Sequence, residues 1–479
     1  MAPVKVPDSV FFESIPQLGE RLKAKEFTSV DLTRAFLDRM ERLGPRYNAL
    51  ALLLQKHAIG AAKDNATEMK RERFRSPLHG IPYGAKDLLA FAKHPTTWGA
   101  KPYLTQVLDT TATALNKLNK SGGVLTAKLA MVELAGGPSY RYASASATGP
   151  GLNPWDPTRW SGGSSSGSAI SVAAGLVTYA LGSETSGSIL TPSAFCGVTG
   201  LRPTYGLVSR AGAMALSWTL DKIGPICRSA EDCGLVLQVM AGSDDADPGS
   251  AGKSFYYAPQ FARDLKDIKA GFAAVDFEEW VEPAARADFA KALEVMRSLG
   301  LQVGPAKLPE FPYGPVLSTI LSAEASSSFE KLIASGQVDE LADARQIAGL
   351  KAGLDVPAKD YLRAMRIRSL IQQAFRDMFA DLDVLITPSR LGPATKITQA
   401  LDRPLYPDRP RPKDRGLTQL IPAGNLAGLP ALSLPCGFAE GMPIGISVVG
   451  RPFSENLLLT IGREFQKKTD WHLRRPPIG

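Results

Sequence analysis

The chain is poor in cysteine and histidine, with four of each among its 479 residues. The cysteines are too widely spaced for a zinc site, since no two of them are separated by only two residues. Such a small number of thiols excludes a disulfide scaffold and favours a reducing compartment. We therefore expect the protein to be located in the cytoplasm. We also expect neither a bound metal nor a cofactor.

Long hydrophobic runs are lacking as well. No stretch reaches the ~18 apolar residues that a membrane helix needs, and no apolar run follows the lysine of residues 1–7, as it would in a signal peptide. The net charge is +8, but basic residues alternate with acids, as they do over residues 68–73. That pattern is typical of a solvated surface. We therefore expect no membrane and no nucleic-acid partner.

What is present is an ordinary globular composition, with 44% hydrophobic and 21% charged residues. Strand and helix signals alternate to about residue 240, which predicts an α/β fold. A capping box at residues 28–31 introduces an amphipathic helix over 30–43. A second helix is predicted over 50–75, and short buried strands over 123–125 and 177–181.

Two glycine-serine loops, at residues 162–167 and 186–188, stand out in the middle of the chain. Ser188 follows a predicted strand and precedes a predicted helix, where backbone N–H groups lack partners. The N–H groups of residues 185–188 can therefore form an oxyanion hole. The alternative is that Ser188 only caps a structural helix.

A serine nucleophile needs a base, and the choice of base stays open between two lysines. None of the histidines, His57, His79, His94 and His472, lies in a context that indicates a catalytic triad. A lysine can serve if burial lowers its pKa from ~10.4 toward ~7–8. Lys86 and Lys128 each lie in a largely apolar strand context, so either fits.

The order of motifs resembles the amidase signature family of serine hydrolases. The resemblance covers most of the chain and rests on the motifs Gly80–Pro82 with Lys86 and Asp87, Gly162–Ser168, Gly187–Ile189, Pro192–Gly197, Gly200–Gly206, Asp221–Pro225, Asn425–Pro430 and Pro443–Gly445. It implies a large mixed, twisted β-sheet sandwiched between layers of α-helices. It also implies a single domain over 1–479, with its core at about 65–240 and 381–470 and a helical cap at about 255–380.

The resemblance further implies a Ser–Ser–Lys triad. The family's lysine falls on Lys86, its bridging serine, which follows a cis peptide bond, on Ser164, and its nucleophile on Ser188. The oxyanion hole then consists of the N–H groups of Thr185, Ser186, Gly187 and Ser188. Such a site forms an acyl-enzyme that water hydrolyses.

The chain departs from the family pattern beside the nucleophile. Ser186 replaces a glycine and Leu190 an arginine, while Val132 stands where glutamine-using relatives carry an acid. Since the changes at Leu190 and Val132 remove charge, we expect a neutral aryl or alkyl amide as substrate, with carbamate (urethane) or ester cleavage as further activities. Candidate substrate-binding residues are Met131, Tyr140, Tyr142 and Leu190, with others expected from residues 310–380 and 390–415.

The leading hypothesis is thus a stand-alone amidase, monomeric or homodimeric, that acts on a small-molecule amide or carbamate. The alternatives are the glutaminase (A) subunit of a tRNA-dependent amidotransferase, against which the missing arginine argues, and a non-catalytic binding relative.

Overall fold

The protein is described here by a computed structural model over residues 4–261, 263–402 and 411–478. These residues fold around one sheet of eleven strands. The strands are β1 (Leu50–Leu53), β2 (Pro82–Lys86), β3 (Val124–Leu129), β4 (Tyr179–Glu184), β5 (Thr199–Arg202), β6 (Lys222–Cys227), β7 (Lys269–Phe272), β8 (Gln302–Pro305), β9 (Val384–Pro388), β10 (Ala431–Ala439) and β11 (Met442–Gly450).

The helices account for most of the remaining regular structure of the described residues. They are α1 (Ile15–Lys23), α2 (Ser29–Leu43), α3 (Gln55–Lys70), α4 (Thr113–Lys120), α5 (Ser166–Ala173), α6 (Leu190–Cys196), α7 (Ala230–Met240), α8 (Arg286–Ser298), α9 (Tyr313–Ser328), α10 (Glu330–Ala334), α11 (Ala344–Gly353), α12 (Ala358–Asp381), α13 (Leu420–Ala427) and α14 (Glu455–Lys467).

The sheet is mixed, as the family resemblance implies. The strand order is β1-β3-β2-β4-β6-β5-β10-β11-β9-β7-β8. Strands β3, β2 and β4 run parallel to one another, and so do β9, β7 and β8. In the middle of the sheet, from β4 through β6, β5, β10 and β11 to β9, each strand is antiparallel to the next. The parallel pair β2 and β4 places the ends of two strands side by side.

Helices cover both faces of the sheet. A Cβ placed on Gly462 of α14 would lie against Leu432 of β10, whereas one placed on Gly445 of β11 would lie against Ala194 of α6. Gly445 pairs with Pro435, three residues beyond Leu432. Since side chains alternate between the two faces of a strand, α6 and α14 lie on opposite faces. The predicted sandwich of a sheet between helices is confirmed.

The N-terminal helices form largely for the reasons read from the sequence. Thr28 caps α2: its hydroxyl accepts from the N–H of Asp31 at 3.2 Å, and the Asp31 carboxylate accepts from the N–H of Thr28 at 3.0 Å. The helix predicted over 50–75 is wrong at its start. Residues 50–53 form β1 instead, because four successive apolar side chains allow this segment to pair with β3 at the sheet edge.

Residues 255–380 contain helices α8 to α12, but they also contain β7 and β8. Strand β7 pairs in parallel with β9, so this region extends the main sheet. The four-residue length of each strand explains why the sequence pattern did not indicate them. The single-domain boundaries and the helical cap stay a prediction. Among the described residues, none of the helices is both long and apolar enough to cross a membrane.

Candidate active site

Lys86 is the last residue of β2, and its side chain is fully buried. Its Nζ lies 2.7 Å from the Oγ of Ser164, 3.1 Å from the Oγ of Ser165 and 2.9 Å from the Oγ of Ser183. The ammonium group is thus surrounded by hydroxyl groups, and none of the ion pairs of the described residues includes it. It can exchange a proton with Ser164 directly.

Burial governs the acidity of Lys86. Desolvation lowers its pKa to about 7, against the smaller opposing effects of the Asp221 and Glu184 carboxylates. A buried amine without an adjacent counter-ion loses its proton near neutral pH. Lys86 therefore has the acidity that a general base needs.

Lys128, the other lysine indicated by the sequence, lies in a different environment. Its Nζ forms an ion pair of 2.7 Å with Asp87 and donates to the Oγ of Thr96 at 2.9 Å. Burial lowers its pKa, while Asp87 opposes that shift. The structure does not bring Lys128 to either serine loop. Because Asp87 directly follows Lys86, the ion pair holds the end of β2 in place.

The first serine loop connects Lys86 to the second loop. The Gly163–Ser164 peptide bond is cis, and the Ser164 carbonyl accepts from the N–H of Val132 at 3.1 Å. The N–H of Ser165 donates to the carbonyl of Ser188 at 3.3 Å. The two glycine-serine loops are therefore in direct contact.

The second loop follows β4 and presents Ser188 to a cavity. Gly187 has φ +90°, a backbone conformation that favours glycine. Within the described residues, the N–H groups of Thr185, Ser186, Gly187 and Ser188 donate to no protein acceptor. Unpaired N–H groups beside a serine hydroxyl have the chemistry that an oxyanion hole needs.

Glu184 fixes this loop from beneath. Its carboxylate accepts from the N–H groups of Ile189 at 2.9 Å and Leu190 at 3.1 Å. It also accepts from Arg202 and from the side-chain amide of Asn425, each at 2.9 Å. Glu184 therefore occupies the N-terminus of α6, which begins at Leu190. The loop N–H groups are the donors that remain.

The protonation state of Glu184 follows from these partners. Burial alone would raise its pKa, but Arg202, Asn425 and Lys222 outweigh that effect and lower it to about 2. Glu184 is therefore ionised at neutral pH. Thr185, the next residue, donates from its hydroxyl to Asp221 at 2.5 Å, so both sides of the turn into the loop are held by carboxylates.

The cavity in front of Ser188 has a volume of about 660 Å³ and lies between the serine loops and the segment after β9. Tyr140 lines it, as expected from the sequence. The structure does not bring Met131, Tyr142 or Leu190 to it. Met131 is buried against Gly99, and Leu190 lies in a core cluster with 1% of its surface exposed. Tyr142 is exposed and packs on Arg141.

Charged residues that sequence reasoning missed also line this cavity: Arg345, Arg390 and Asp402. Arg345 and Asp402 form an ion pair of 2.8 Å. All three lie outside the motifs, in the two regions expected to supply the pocket, although residues 403–410 of the second region lie outside the described residues. The sequence could have indicated Arg390, because it is a charged residue two positions after the buried strand β9.

The mixed sheet, with its buried lysine and two serine loops, defines an amidase-type hydrolase that acts on C–N bonds. The chain belongs to the Amidase family, whose pattern matches residues 31–459. It is 36% identical to the A subunit of glutamyl-tRNA(Gln) amidotransferase from Chloroflexus aggregans, over 95% of this chain and 96% of that protein.

Solved structures agree with this assignment. The fold is similar to that of the peptide amidase from Stenotrophomonas maltophilia, with a TM-score of 0.83 and 31% identity over 97% of this chain and 98% of that one. It is also similar to the A subunit of glutamyl-tRNA(Gln) amidotransferase from Thermotoga maritima, with a TM-score of 0.76 and 27% identity over 97% of each chain.

These relatives correct the leading hypothesis of a stand-alone enzyme for neutral amides. The relatives named as the amidotransferase A subunit align with almost the whole chain, which contradicts that hypothesis and the expected lack of protein and nucleic-acid partners. The structure supplies the physical reason for the error. Leu190 is buried away from the cavity, so losing an arginine there does not make the cavity neutral. Its charges come from Arg345, Arg390 and Asp402.

Proposed function

We propose that the chain is the amide-cleaving subunit of a tRNA-dependent amidotransferase and releases ammonia from glutamine. The observation that carries this proposal is its near end-to-end similarity to proteins named as the A subunit of such an enzyme, at 33–37% identity. The charged cavity in front of Ser188 supports it, because glutamine carries both a carboxylate and an ammonium group. Protein partners and a tRNA-bound acceptor follow from the same proposal.

The proposed reaction begins at Lys86. With a pKa near 7, a large fraction of this amine is neutral at physiological pH and can accept the proton of Ser164. Ser164 in turn takes the proton of Ser188 as the Ser188 Oγ attacks the amide carbon. General-base help of this kind contributes about 10²- to 10⁴-fold to the rate.

The oxyanion that forms would be bound by the N–H groups of Thr185, Ser186, Gly187 and Ser188. Each such donor contributes ~2.7–4 kcal/mol to transition-state stability. When the C–N bond breaks, Ser164 passes a proton to the nitrogen and ammonia leaves. Water then attacks the acyl-enzyme by the reverse proton transfers, which yields glutamate and restores the Ser188 hydroxyl.

The same acyl transfer would cleave carbamates and esters, and we propose these as side activities. Our further proposal is that the chain works in the cytoplasm. It is supported by the four cysteines, which are all buried and free, as is usual in a reducing compartment.

The test is ammonia release from L-glutamine and from pentanamide by the purified chain, with Ser188→Ala and the surface variant Ser369→Ala as a matched pair. Ser369 lies exposed on α12. We expect a higher kcat/KM for glutamine than for pentanamide, a loss of both activities in Ser188→Ala, and unchanged activity in Ser369→Ala. A preference for pentanamide would contradict the proposal.

The assembly is tested separately, on the tagged protein purified from its source with its partners attached. We expect this preparation to convert glutamyl-tRNA(Gln) to glutaminyl-tRNA(Gln) with glutamine as the nitrogen donor, and the Ser188→Ala preparation to require free ammonia instead. Conversion from glutamine at an undiminished rate by the variant preparation would contradict the role of this protein in the assembly.

A further inference from the structure

Arg390 is the one charged group in the active-site cavity that is not neutralised within the described residues. Arg345 and Asp402 are paired with each other at 2.8 Å. Arg390, in contrast, forms no ion pair and donates no hydrogen bond to any described residue. Its guanidinium carbon lies 6.0 Å from the centroid of the Phe195 ring.

Arg390 lies near α6, the helix that follows the nucleophile. Phe195 lies on α6, the helix that begins two residues after Ser188. Arg390, Phe195, Thr191 and Ser188 all line the same cavity. Arg390 thus borders the same cavity as the nucleophile.

The backbone that carries Arg390 is held rigidly. Ser389 donates its N–H to the carbonyl of Gly445 at 2.8 Å, and its hydroxyl lies within 2.8 Å of the hydroxyls of Ser433 and Ser447. On the other side, the carbonyl of Leu391 accepts from the N–H of Glu282 at 2.7 Å. The backbone from which the Arg390 side chain extends is therefore held on both sides, which reduces the conformational freedom lost when a ligand binds.

Tyr140 forms part of the same wall. It lines the cavity with Arg390, and a Cβ added to Gly163, the residue before Ser164, would lie 3.3 Å from the Tyr140 hydroxyl. The Tyr140 hydroxyl therefore lies beside the first serine loop, and Arg390 and Tyr140 both offer hydrogen-bond donors to the cavity.

We propose that Arg390 binds a carboxylate at the far end of the substrate's acyl chain and thereby sets the preference for anionic amides. A planar guanidinium matches a carboxylate with two parallel hydrogen bonds. The family's arginine is replaced here by Leu190, and Arg390 lies 200 residues further along the chain (390 − 190 = 200). The positive charge that we assign to substrate binding therefore comes from another part of the fold. This inference rests on the proposed function, since it names the group that distinguishes glutamine from a plain alkyl amide.

The test compares two primary amides of equal chain length, the glutaric acid monoamide and pentanamide, at constant ionic strength. In Arg390→Met, we expect the ratio of kcat/KM for the anionic amide over the neutral one to fall about 10- to 100-fold, the usual effect of losing a charge-assisted hydrogen bond. Arg376→Met, on the exposed side of α12, should leave the ratio unchanged. An unchanged ratio in Arg390→Met overturns the inference.

A binding measurement separates this inference from the proposed function. Glutarate, which has no amide to cleave, should raise the Tm of the wild type and lose that effect in Arg390→Met. If the wild type hydrolyses no amide and glutarate still binds through Arg390, the function fails and the inference stands. If amides are hydrolysed and glutarate stabilises both proteins equally, the inference fails. Should Arg390→Met not fold, Arg390→Gln takes its place in both measurements.

Discussion

Lys86 Nζ and Ser164 Oγ lie 2.7 Å apart in the protein interior, although 78 residues separate them in the chain. Two other serine hydroxyls complete the surroundings of the amine. Burial without a carboxylate in contact lowers the pKa of Lys86 to about 7. This arrangement is the basis for our proposal that Lys86 acts as a base at neutral pH.

The first prediction concerns the pH dependence of catalysis. Since only neutral Lys86 can accept a proton, kcat/KM for amide hydrolysis should rise with pH through about 7 and level off above it. Lys86→Met should lose about 10²- to 10⁴-fold in rate and show no inflection near neutrality. The matched control is Lys359→Met, at an exposed position of α12. A wild-type profile that is flat between about pH 6 and 8 would exclude Lys86 as the base.

The second prediction concerns stability. The folded-state pKa of Lys86, about 7, lies below the ordinary value of 10.5, so between these values the unfolded chain binds more protons. The contribution of Lys86 to stability is therefore unfavourable below pH 7 and becomes less so as pH rises. Urea unfolding should show that Lys86→Met gains stability relative to wild type more at pH 7 than at pH 9.5. An equal difference at both pH values would mean that burial does not lower the pKa of Lys86.

The third prediction tests Ser183, whose Oγ lies 2.9 Å from Lys86 Nζ. A hydroxyl acceptor favours the charged amine, so Ser183→Ala should move the acid limb of the pH–rate profile lower by about one unit. Ser171→Ala is the matched control, because Ser171 is also buried but its hydroxyl has no partner among the described residues. Identical profiles for the two variants would show that Ser183 does not act on Lys86.

The fourth prediction concerns Glu184, which positions the loop that carries Ser188. Glu184→Gln leaves Arg202 buried without its counter-ion, a change that costs about 3–5 kcal/mol of unfolding free energy. We expect kcat to fall more than KM rises, with partial rescue in Glu184→Asp. The surface variant Glu310→Gln, whose partner Lys307 is also exposed, should leave both kinetic constants unchanged. A loss of stability with an unchanged kcat would limit Glu184 to a structural role.

The pH dependence of stability offers a check on the same residue. The pKa of Glu184 is about 2 in the folded protein, against an ordinary value of 4.5. Its stabilising contribution is thus fully present above about pH 4.5 and is lost as the pH falls toward 2. Glu184→Gln should therefore reduce the difference in unfolding free energy between pH 5 and pH 3 relative to the wild type.

The sequence predicted the α/β class and the position of both serine loops because those features depend on local patterns of glycine, serine and apolar residues. The mixed sheet between helices was predicted only from the family resemblance. It left Lys86 and Lys128 equivalent until the family resemblance was considered, since both lie in apolar strand contexts. The structural difference between them, an ion pair with Asp87 for one and hydroxyl groups for the other, depends on strand neighbours. The parallel pairing of β2 with β4, which brings Ser183 to Lys86, cannot be read from either strand alone.

The prediction of a neutral amide substrate was the part of the sequence analysis that was wrong. Counting charges in the motif around Ser188 assumed that residue 190 faces the substrate, whereas its side chain is buried in the core. Arg390 reaches the cavity from a loop that no motif covers. Pocket charge is a property of the tertiary fold, so a motif comparison detects the reacting groups more readily than the groups that choose the substrate.

The most direct test of the proposed mechanism is to trap the acyl-enzyme. The wild type, mixed with L-glutamine and quenched in acid within milliseconds, should yield a peptide containing Ser188 that carries a glutamyl group, as measured by mass spectrometry. The Ser188→Ala protein should yield no such adduct and release no ammonia. A glutamyl adduct on another residue, or ammonia release that persists in Ser188→Ala, would contradict the mechanism.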